Sequence, residues 1–197
     1  MSAVTVETVR DLTARKALLD NLARLRITVF REWPYLYEGS LDYEQRYLRD
    51  FLDNMQAALI IARDGDEIVG AATASAMAGQ DEAVRLPFEQ RGMDISTLYY
   101  FGESVLRADY RGQGIGHAFF DAREAAAREA GANAACFCAV IRPQDHALRP
   151  AGARDLSDFW RKRGYAPMDG LIATYAWQDI DQASESQHDM QFWYRTL

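Results

Sequence analysis

A glycine-rich turn between two apolar segments carries the residues of this chain whose types and spacing most clearly indicate chemistry. Residues 110–117 read Y-R-G-Q-G-I-G-H, with one arginine and three glycines. Glycines have no Cβ, so a ligand can approach the backbone, and a helix starting here offers free N–H groups and its positive dipole end. With the charge of Arg111, this combination predicts a site for a phosphate or pyrophosphate.

The flanking segments predict the elements that hold the turn. Residues 98–106 are rich in aromatic and β-branched side chains, as in a buried or half-buried strand. Beyond the turn, apolar residues recur at three- and four-residue steps from Ile115 to Ala130 and stop at Gly131, which predicts a helix. The glycines therefore lie at a strand-to-helix turn.

Two common phosphate-binding motifs do not fit this turn. The dinucleotide motif G-x-G-x-x-G requires glycine at position 117 or 119, where histidine and phenylalanine stand. A P-loop requires a lysine that does not follow the glycines. The turn resembles instead the pyrophosphate loop of the GNAT acyltransferase superfamily, with Arg111, Gly114 and Gly116 at the positions of the family pattern.

A second signature and the cofactor follow from this resemblance. The pair Phe159-Trp160 and the later pair Gly164-Tyr165 are similar to an aromatic signature of the same family. The resemblance implies acetyl-CoA as cosubstrate, with its pantetheine arm between a fourth and a fifth strand that splay apart. The cofactor-binding residues implied in this way are Ser104, Val105, Leu106, Arg111, Gly112, Gln113, Gly114, Ile115 and Gly116.

The resemblance also implies an acyl transfer and a catalytic base. Glu103 lies in the apolar strand where many members carry a glutamate that accepts the proton of the amine, directly or through water. We expect an N-acetyltransferase that acts on a primary amine of a small molecule or protein, by direct attack in a ternary complex.

The general acid is not assigned. Trp160 stands where family members commonly have a tyrosine, and an indole cannot protonate a thiolate. Tyrosines 99, 100 and 110, Cys138 and His146 remain possible substitutes. The missing tyrosine keeps open a second function, a non-catalytic acyl-CoA-binding sensor.

An aromatic and acidic segment, residues 30–47, is the predicted border of the acceptor site. Trp33, Tyr35 and Tyr37 lie there among several carboxylates, a combination that can hold a cationic amine. Packing of these aromatic residues against helix ends explains the composition equally well.

Composition limits the partners and the compartment. A net charge of −7 argues against nucleic acid as the main partner. We see no signal peptide and no apolar segment of about 20 residues, so we expect no membrane association. Cys136 and Cys138 share one face of a predicted strand, which favours a reducing, cytoplasmic location. Three scattered histidines and a C-x-C spacing predict no metal site.

The element order predicts an α+β fold in one GNAT-like domain, residues 1–197. Helices are expected at 15–30, 43–55 and 156–163, a short helix at 81–90, and a hairpin of strands 57–63 and 67–76. Final strands are expected at 171–177 and 190–197. We expect a mixed, mostly antiparallel sheet of six to seven strands flanked by helices, with splayed central strands. The aromatic last strand suggests a possible homodimer if it forms an exposed edge, and self-packing otherwise.

Overall fold

The fold is a mixed sheet with helices on both faces, seen in a computed structural model that describes residues 4–197. Its strands are β1 (Thr5–Thr8), β2 (Ala58–Asp64), β3 (Glu67–Ala76), β4 (Leu98–Leu106), β5 (Ala134–Val140), β6 (Ala166–Gln178) and β7 (Glu185–Thr196). Its helices are α1 (Leu12–Ala17), α2 (Leu19–Phe30), α3 (Leu41–Asp53), α4 (Glu82–Gln90), α5 (Ile115–Glu129) and α6 (Ser157–Lys162). The strand order β1-β2-β3-β4-β5-β7-β6 confirms the expected α+β sheet.

The one parallel pair in the sheet, β4 with β5, separates soon after it forms. The two strands pair from Leu98 opposite Ala134 to Tyr100 opposite Cys136, while the remaining neighbours in the sheet are antiparallel. Beyond Tyr100, β4 keeps β3 as its partner on one side, and no strand within residues 4–197 pairs with its other side. The central strands are therefore splayed, as expected, and the gap exposes one backbone edge of β4.

A β-bulge interrupts the pairing of β4 with β3 at the mouth of this gap. Ala72 lies opposite Ser104 and Ala74 opposite Phe101, so β4 has one extra residue there. A Cβ on Gly102 would lie 2.6 Å from Thr73 Oγ1, so glycine permits this close approach. The bulge places Glu103 on the same face of the sheet as the buried Val105.

Helices cover both faces of the sheet. Helix α5 packs on one face against Phe101 and its neighbours, while α2 and α3 pack on the other. Ser40 caps α3, and Gly131 follows the end of α5 with φ 77°. Among residues 4–197, no helix combines the length and the apolar character needed to cross a lipid bilayer.

Three expectations about the elements need correction. The helix expected at 15–30 is two helices, because the N–H of Leu18 turns to the carbonyl of Arg15 and the chain leaves α-helical geometry there. Strands β6 and β7 are longer than expected, because their hairpin continues past the apolar segments. Strand β7 is not an edge, since it pairs with β5 and β6, and this removes the reason for expecting a homodimer through that strand.

Candidate active site

The glycine turn at the start of α5 is open and rich in free donors. Gly112 and Gly114 have φ 78° and 86°, and a Cβ on either would meet no atom within 4 Å. The first bond of the helix runs from Ala118 N to Gly114 O. In residues 4–197, the N–H groups of Ile115 and Gly116 have no hydrogen-bond partner, nor does that of residue 117. The turn therefore has the geometry of an anion site.

The side chains of the turn point back towards the protein. Arg111 donates to Glu32 Oε2 at 2.7 Å and to the carbonyl of Leu106 at 3.1 Å. Gln113 donates to the carbonyl of Asp109 at 3.1 Å. Arg111 and Glu32 are both well exposed, and an exposed pair of this kind is weak, so a phosphate can compete for the arginine.

The predicted residues of β4 lie along the gap. Val105 is fully buried and packs towards α2, whereas Ser104 is exposed. The backbone edge of these residues that faces away from β3 has no strand partner among the residues that the structure describes. Ser104, Val105 and Leu106 thus offer main-chain donors and acceptors next to the glycine turn, although the Leu106 carbonyl already accepts from Arg111.

Glu103 forms an ion pair with an arginine that also binds a second glutamate. Arg26 Nη1 lies 2.7 Å from Glu103 Oε1, and Arg26 Nε lies 2.5 Å from Glu44 Oε2. The three side chains are at most 12% exposed. Burial opposes the charge of Arg26, but Glu103, Tyr47 and Glu44 outweigh this effect and raise its pKa. The arginine therefore stays protonated.

A small cavity adjoins this ion pair. It has a volume of about 10 Å³, and its polar lining consists of Arg26, Thr73 and Glu103. The volume suits about one water molecule, and three polar groups are enough to hold one. The cavity can therefore hold one water beside Glu103.

The predicted acceptor residues have three different surroundings. Burial raises the pKa of Tyr35, whose ring packs against Phe30 and Trp177 with centroids 4.8 and 6.1 Å apart. Burial and then Glu44 raise the pKa of Tyr37. Trp33 lies farther out, where its ring meets the His146 ring with centroids 5.4 Å apart. Tyr37 thus lies close to Glu44, Tyr35 lies within range of the charge of Glu103, and Trp33 packs against His146 instead.

A buried clasp holds the loop that carries these aromatic residues. Arg142 donates to both carboxylate oxygens of Asp179 and to the carbonyls of Pro34 and Tyr35, at 2.6 to 2.8 Å. Trp177 Nε1 donates to the same Tyr35 carbonyl at 3.1 Å and to Asp179 at 2.9 Å. The arginine and the aspartate are 7% and 6% exposed, so the clasp is shielded from solvent.

Trp160, which stands where the family commonly has a tyrosine, and two of the substitutes considered for the general acid, Tyr100 and Cys138, lie in different surroundings. Trp160 packs edge-on against Phe137 and Trp193, with ring centroids 5.1 and 5.0 Å apart, so it serves the aromatic core. Tyr100 Oη lies 3.1 Å from Cys138 Sγ where β4 and β5 separate. Burial raises the pKa of Tyr100 well above its usual value and that of Cys138 to about 11, so both are protonated at neutral pH.

Sequence reasoning missed Arg26 and Glu44 as parts of the site. The sequence did contain a signal, because Arg26 and Glu44 each lie in line with leucines spaced four residues apart on an apolar helix face. The two stripes are Leu18, Leu22, Arg26 and Glu44, Leu48, Leu52. A charged residue on a buried stripe requires a partner, and these two find each other.

Comparisons with known proteins agree with this geometry. The sequence profile of the Acetyltransferase (GNAT) family matches residues 25–151. Comparison with the curated proteins gives no match. An acetyltransferase from Thermus thermophilus is 14% identical, with 100% of both chains covered and a TM-score of 0.61.

Two similar solved structures were determined with coenzyme A. An aminoglycoside 6'-N-acetyltransferase is 15% identical, with 96% of each chain covered and a TM-score of 0.61. The PaiA N-acetyltransferase of Thermoplasma acidophilum is 11% identical, with 98% of this chain and 99% of that chain covered and a TM-score of 0.54. These similarities show the fold. Because the family profile covers more than half of the chain, the protein belongs to the GNAT acetyltransferase family.

Proposed function

We propose that the protein is an N-acetyltransferase that transfers the acetyl group of acetyl-CoA to a primary amine of a small molecule or protein. The observation that carries the proposal is the position of Glu103, on the bulge of β4 beside the gap and close to the open glycine turn. A base and an anion site at the two ends of one exposed strand edge suit attack by an amine on an acyl thioester.

The residues at the turn and along β4 fit coenzyme A. Positive φ angles and open space at Gly112 and Gly114 give a phosphate access to the free N–H groups of α5. The unpaired edge at Ser104 and Val105 supplies hydrogen bonds for an amide-containing arm. When bound, acetyl-CoA supplies an activated acyl group as its thioester.

Glu103 is proposed to act as the general base. An ammonium acceptor must lose a proton before it can attack, and Glu103 borders the cavity that can hold one water. Arg26 holds the carboxylate in place at 2.7 Å. The leaving thiolate has a usual pKa of about 8.5, so solvent can protonate it without a dedicated acid.

Tyr35 and Tyr37 are proposed to bind the acceptor, with Trp33 at the entrance. Aromatic faces and the negative charges of Glu44 and Glu103 together favour a cationic amine. The clasp of Arg142 and Asp179 fixes the backbone of this loop, so the acceptor meets a pre-organised surface.

The test combines a binding measurement with identification of the product. Purified protein would be titrated with acetyl-CoA in a calorimeter and then incubated with acetyl-CoA and a panel of primary amines. We expect binding and an N-acetylated amine in the mass spectrum. Binding without any acetylated product would favour the acyl-CoA sensor instead, and no binding would contradict both functions.

A further inference from the structure

The arrangement of Arg26 between two glutamates has a chemical consequence beyond holding Glu103. One guanidinium contacts Glu103 at 2.7 Å and Glu44 at 2.5 Å, with two different nitrogen atoms. The side chain of Glu44 is fully buried and that of Arg26 is 11% exposed. The three groups carry a net charge of −1 when both carboxylates are ionised, so the positive charge is shared.

In the described part of the chain, Glu44 lies near the phenol of Tyr37 as well as near Arg26, and burial and then Glu44 raise the pKa of that phenol. The Oε1 of Glu44 is buried and accepts no hydrogen bond from the described part of the chain, while its Oε2 accepts from Arg26. A buried carboxylate with one unsatisfied oxygen depends strongly on its cation. Part of the positive charge of Arg26 therefore stabilises the carboxylate of Glu44, and less of it stabilises the carboxylate of Glu103.

The other titratable and charged groups around Glu103 do not change the competition of Glu44 and Glu103 for Arg26. The titratable and charged groups that face Glu103, or lie next to those that do, are Arg26 of α2, Tyr35 and Tyr37 of the loop between α2 and α3, Glu44 and Tyr47 of α3, Cys138 of β5 and Arg123 of α5. The tyrosines and the cysteine are neutral at pH 7, because burial or the charge of Glu103 raises their pKa. Arg123 is held on the opposite face against Phe101 and Phe120.

We propose that Glu44 is a positioning residue that sets the basicity of Glu103 by competing for Arg26. An arginine paired with Glu103 alone would stabilise the ionised carboxylate and make it a weak base. The second carboxylate takes part of that charge and adds its own repulsion, and both effects favour proton uptake by Glu103. This inference rests on the proposed role of Glu103 as the base.

Glu44→Gln tests the proposal, because it removes the charge and keeps the shape. The titration of the Glu103 carboxyl would be followed by carbon-13 NMR on full-length protein labelled at glutamate, with the signal assigned by its loss in Glu103→Gln. We expect the midpoint to fall by about one pH unit in Glu44→Gln. The acid limb of kcat/KM should move in the same direction, and kcat on the plateau should fall several-fold because a weaker base accepts the proton less readily.

Two further variants keep the test decisive. Glu38→Gln removes the same charge from a nearby, exposed glutamate that pairs with Arg31, and it should leave the midpoint unchanged. Glu44→Asp moves the carboxylate away from Arg26 but keeps its charge, so we expect a smaller fall of the Glu103 midpoint. This variant serves as the test if Glu44→Gln does not fold. An unchanged or raised midpoint in the folded variants would overturn the proposal. A wild-type protein without acyl transfer would instead contradict the proposed function, and the NMR midpoint would still decide this electrostatic relation.

Discussion

The backbone N–H of Glu103 donates to the side-chain Oγ1 of Thr73 at 3.1 Å, across the bulge between β3 and β4. A side chain of the neighbouring strand thus takes the place of the missing ladder bond. The contact fixes the backbone of β4 where the strand changes register. It thereby places the carboxylate of Glu103 next to Arg26 and the gap.

Gly102→Ala should disturb this arrangement, because the new Cβ would lie 2.6 Å from Thr73 Oγ1. We expect a loss of about 1–3 kcal/mol in the free energy of unfolding, together with lower kcat. Chemical denaturation and steady-state kinetics would measure the two effects.

The matched control for this change is Gly79→Ala, where a Cβ meets no atom within 4 Å. Its stability should stay near that of the wild type. Adding Thr73→Ala to Gly102→Ala removes the clashing oxygen and should recover part of the lost stability. Equal stabilities for the two single glycine variants would contradict the packing of the bulge described above.

Glu103→Gln should abolish most of the turnover while leaving acetyl-CoA affinity unchanged. The amide keeps the shape of the side chain but cannot accept the proton, so kcat should fall about 10²–10⁴-fold. Steady-state kinetics and calorimetry on the same preparation separate the two quantities. The exposed Glu67→Gln serves as the control, and wild-type turnover in Glu103→Gln at every pH would exclude Glu103 as the base.

Gly114→Glu should prevent binding of coenzyme A by placing a carboxylate among the free N–H groups at the start of α5. The affinity should fall by at least about tenfold, because the added charge occupies and repels the phosphate site. Calorimetric titration with coenzyme A would measure the change.

Gly92→Glu is the matched control for the glycine turn, since Gly92 also has a positive φ, 73°, and open space around its Cβ position. Both variants carry a similar backbone strain and the same new charge. Loss of affinity only in Gly114→Glu is the expected outcome. Equal affinities in the two variants would mean that the turn does not hold the cofactor.

Arg142→Gln should loosen the acceptor loop and leave the buried Asp179 carboxylate with only Trp177 and His188 beside it. We expect a cost of roughly 3–5 kcal/mol at neutral pH and a raised KM for the amine. Burial alone raises the pKa of Asp179, but the hydrogen bonds and charge of Arg142 outweigh this effect and lower it.

The sign of the pH dependence follows from that lowered pKa. The ion pair stabilises the fold fully above the unfolded pKa of an aspartate, about 3.9. Its contribution is lost as the pH falls through the lower folded value. The stability difference between wild type and Arg142→Gln should therefore narrow as the pH falls. The narrowing begins at the folded pKa of Asp179 in the variant, which lacks the lowering by Arg142, and continues through the lower pKa in the wild type, below about pH 4. Arg149→Gln, in the same loop but exposed, should show no such narrowing, and a constant difference at all pH values would contradict the role of the clasp.

Local patterns predicted the glycine turn and its helix correctly because the signals lie within a few residues of each other. The glycines, the apolar stripe from Ile115 and the stop at Gly131 all belong to one segment. The gap between β4 and β5 was expected only from the family resemblance. It depends on a strand pairing that ends at Tyr100, and no local pattern states where a pairing ends.

The partners of Glu103 in the charged centre, Arg26 and Glu44, were not predicted, because they come from distant parts of the chain. In the sequence, Arg26 and Glu44 are each a charged residue on an apolar helix face. The pattern of apolar residues does not show that the two faces contact each other. The interior position of β7 was not predicted from local patterns for the same reason, because it depends on distant parts of the chain. Its neighbours β5 and β6 are fixed by the order of strands in the sheet and not by the composition of residues 185–196.

The most direct test of the proposed function is the rate at which the wild-type protein releases free thiol from acetyl-CoA, with and without primary amines. We expect a release that rises with amine concentration, saturates, and matches the amount of N-acetylated amine formed. If acetyl-CoA binds but no amine of any class raises the release above background, the central claim of an N-acetyltransferase is contradicted.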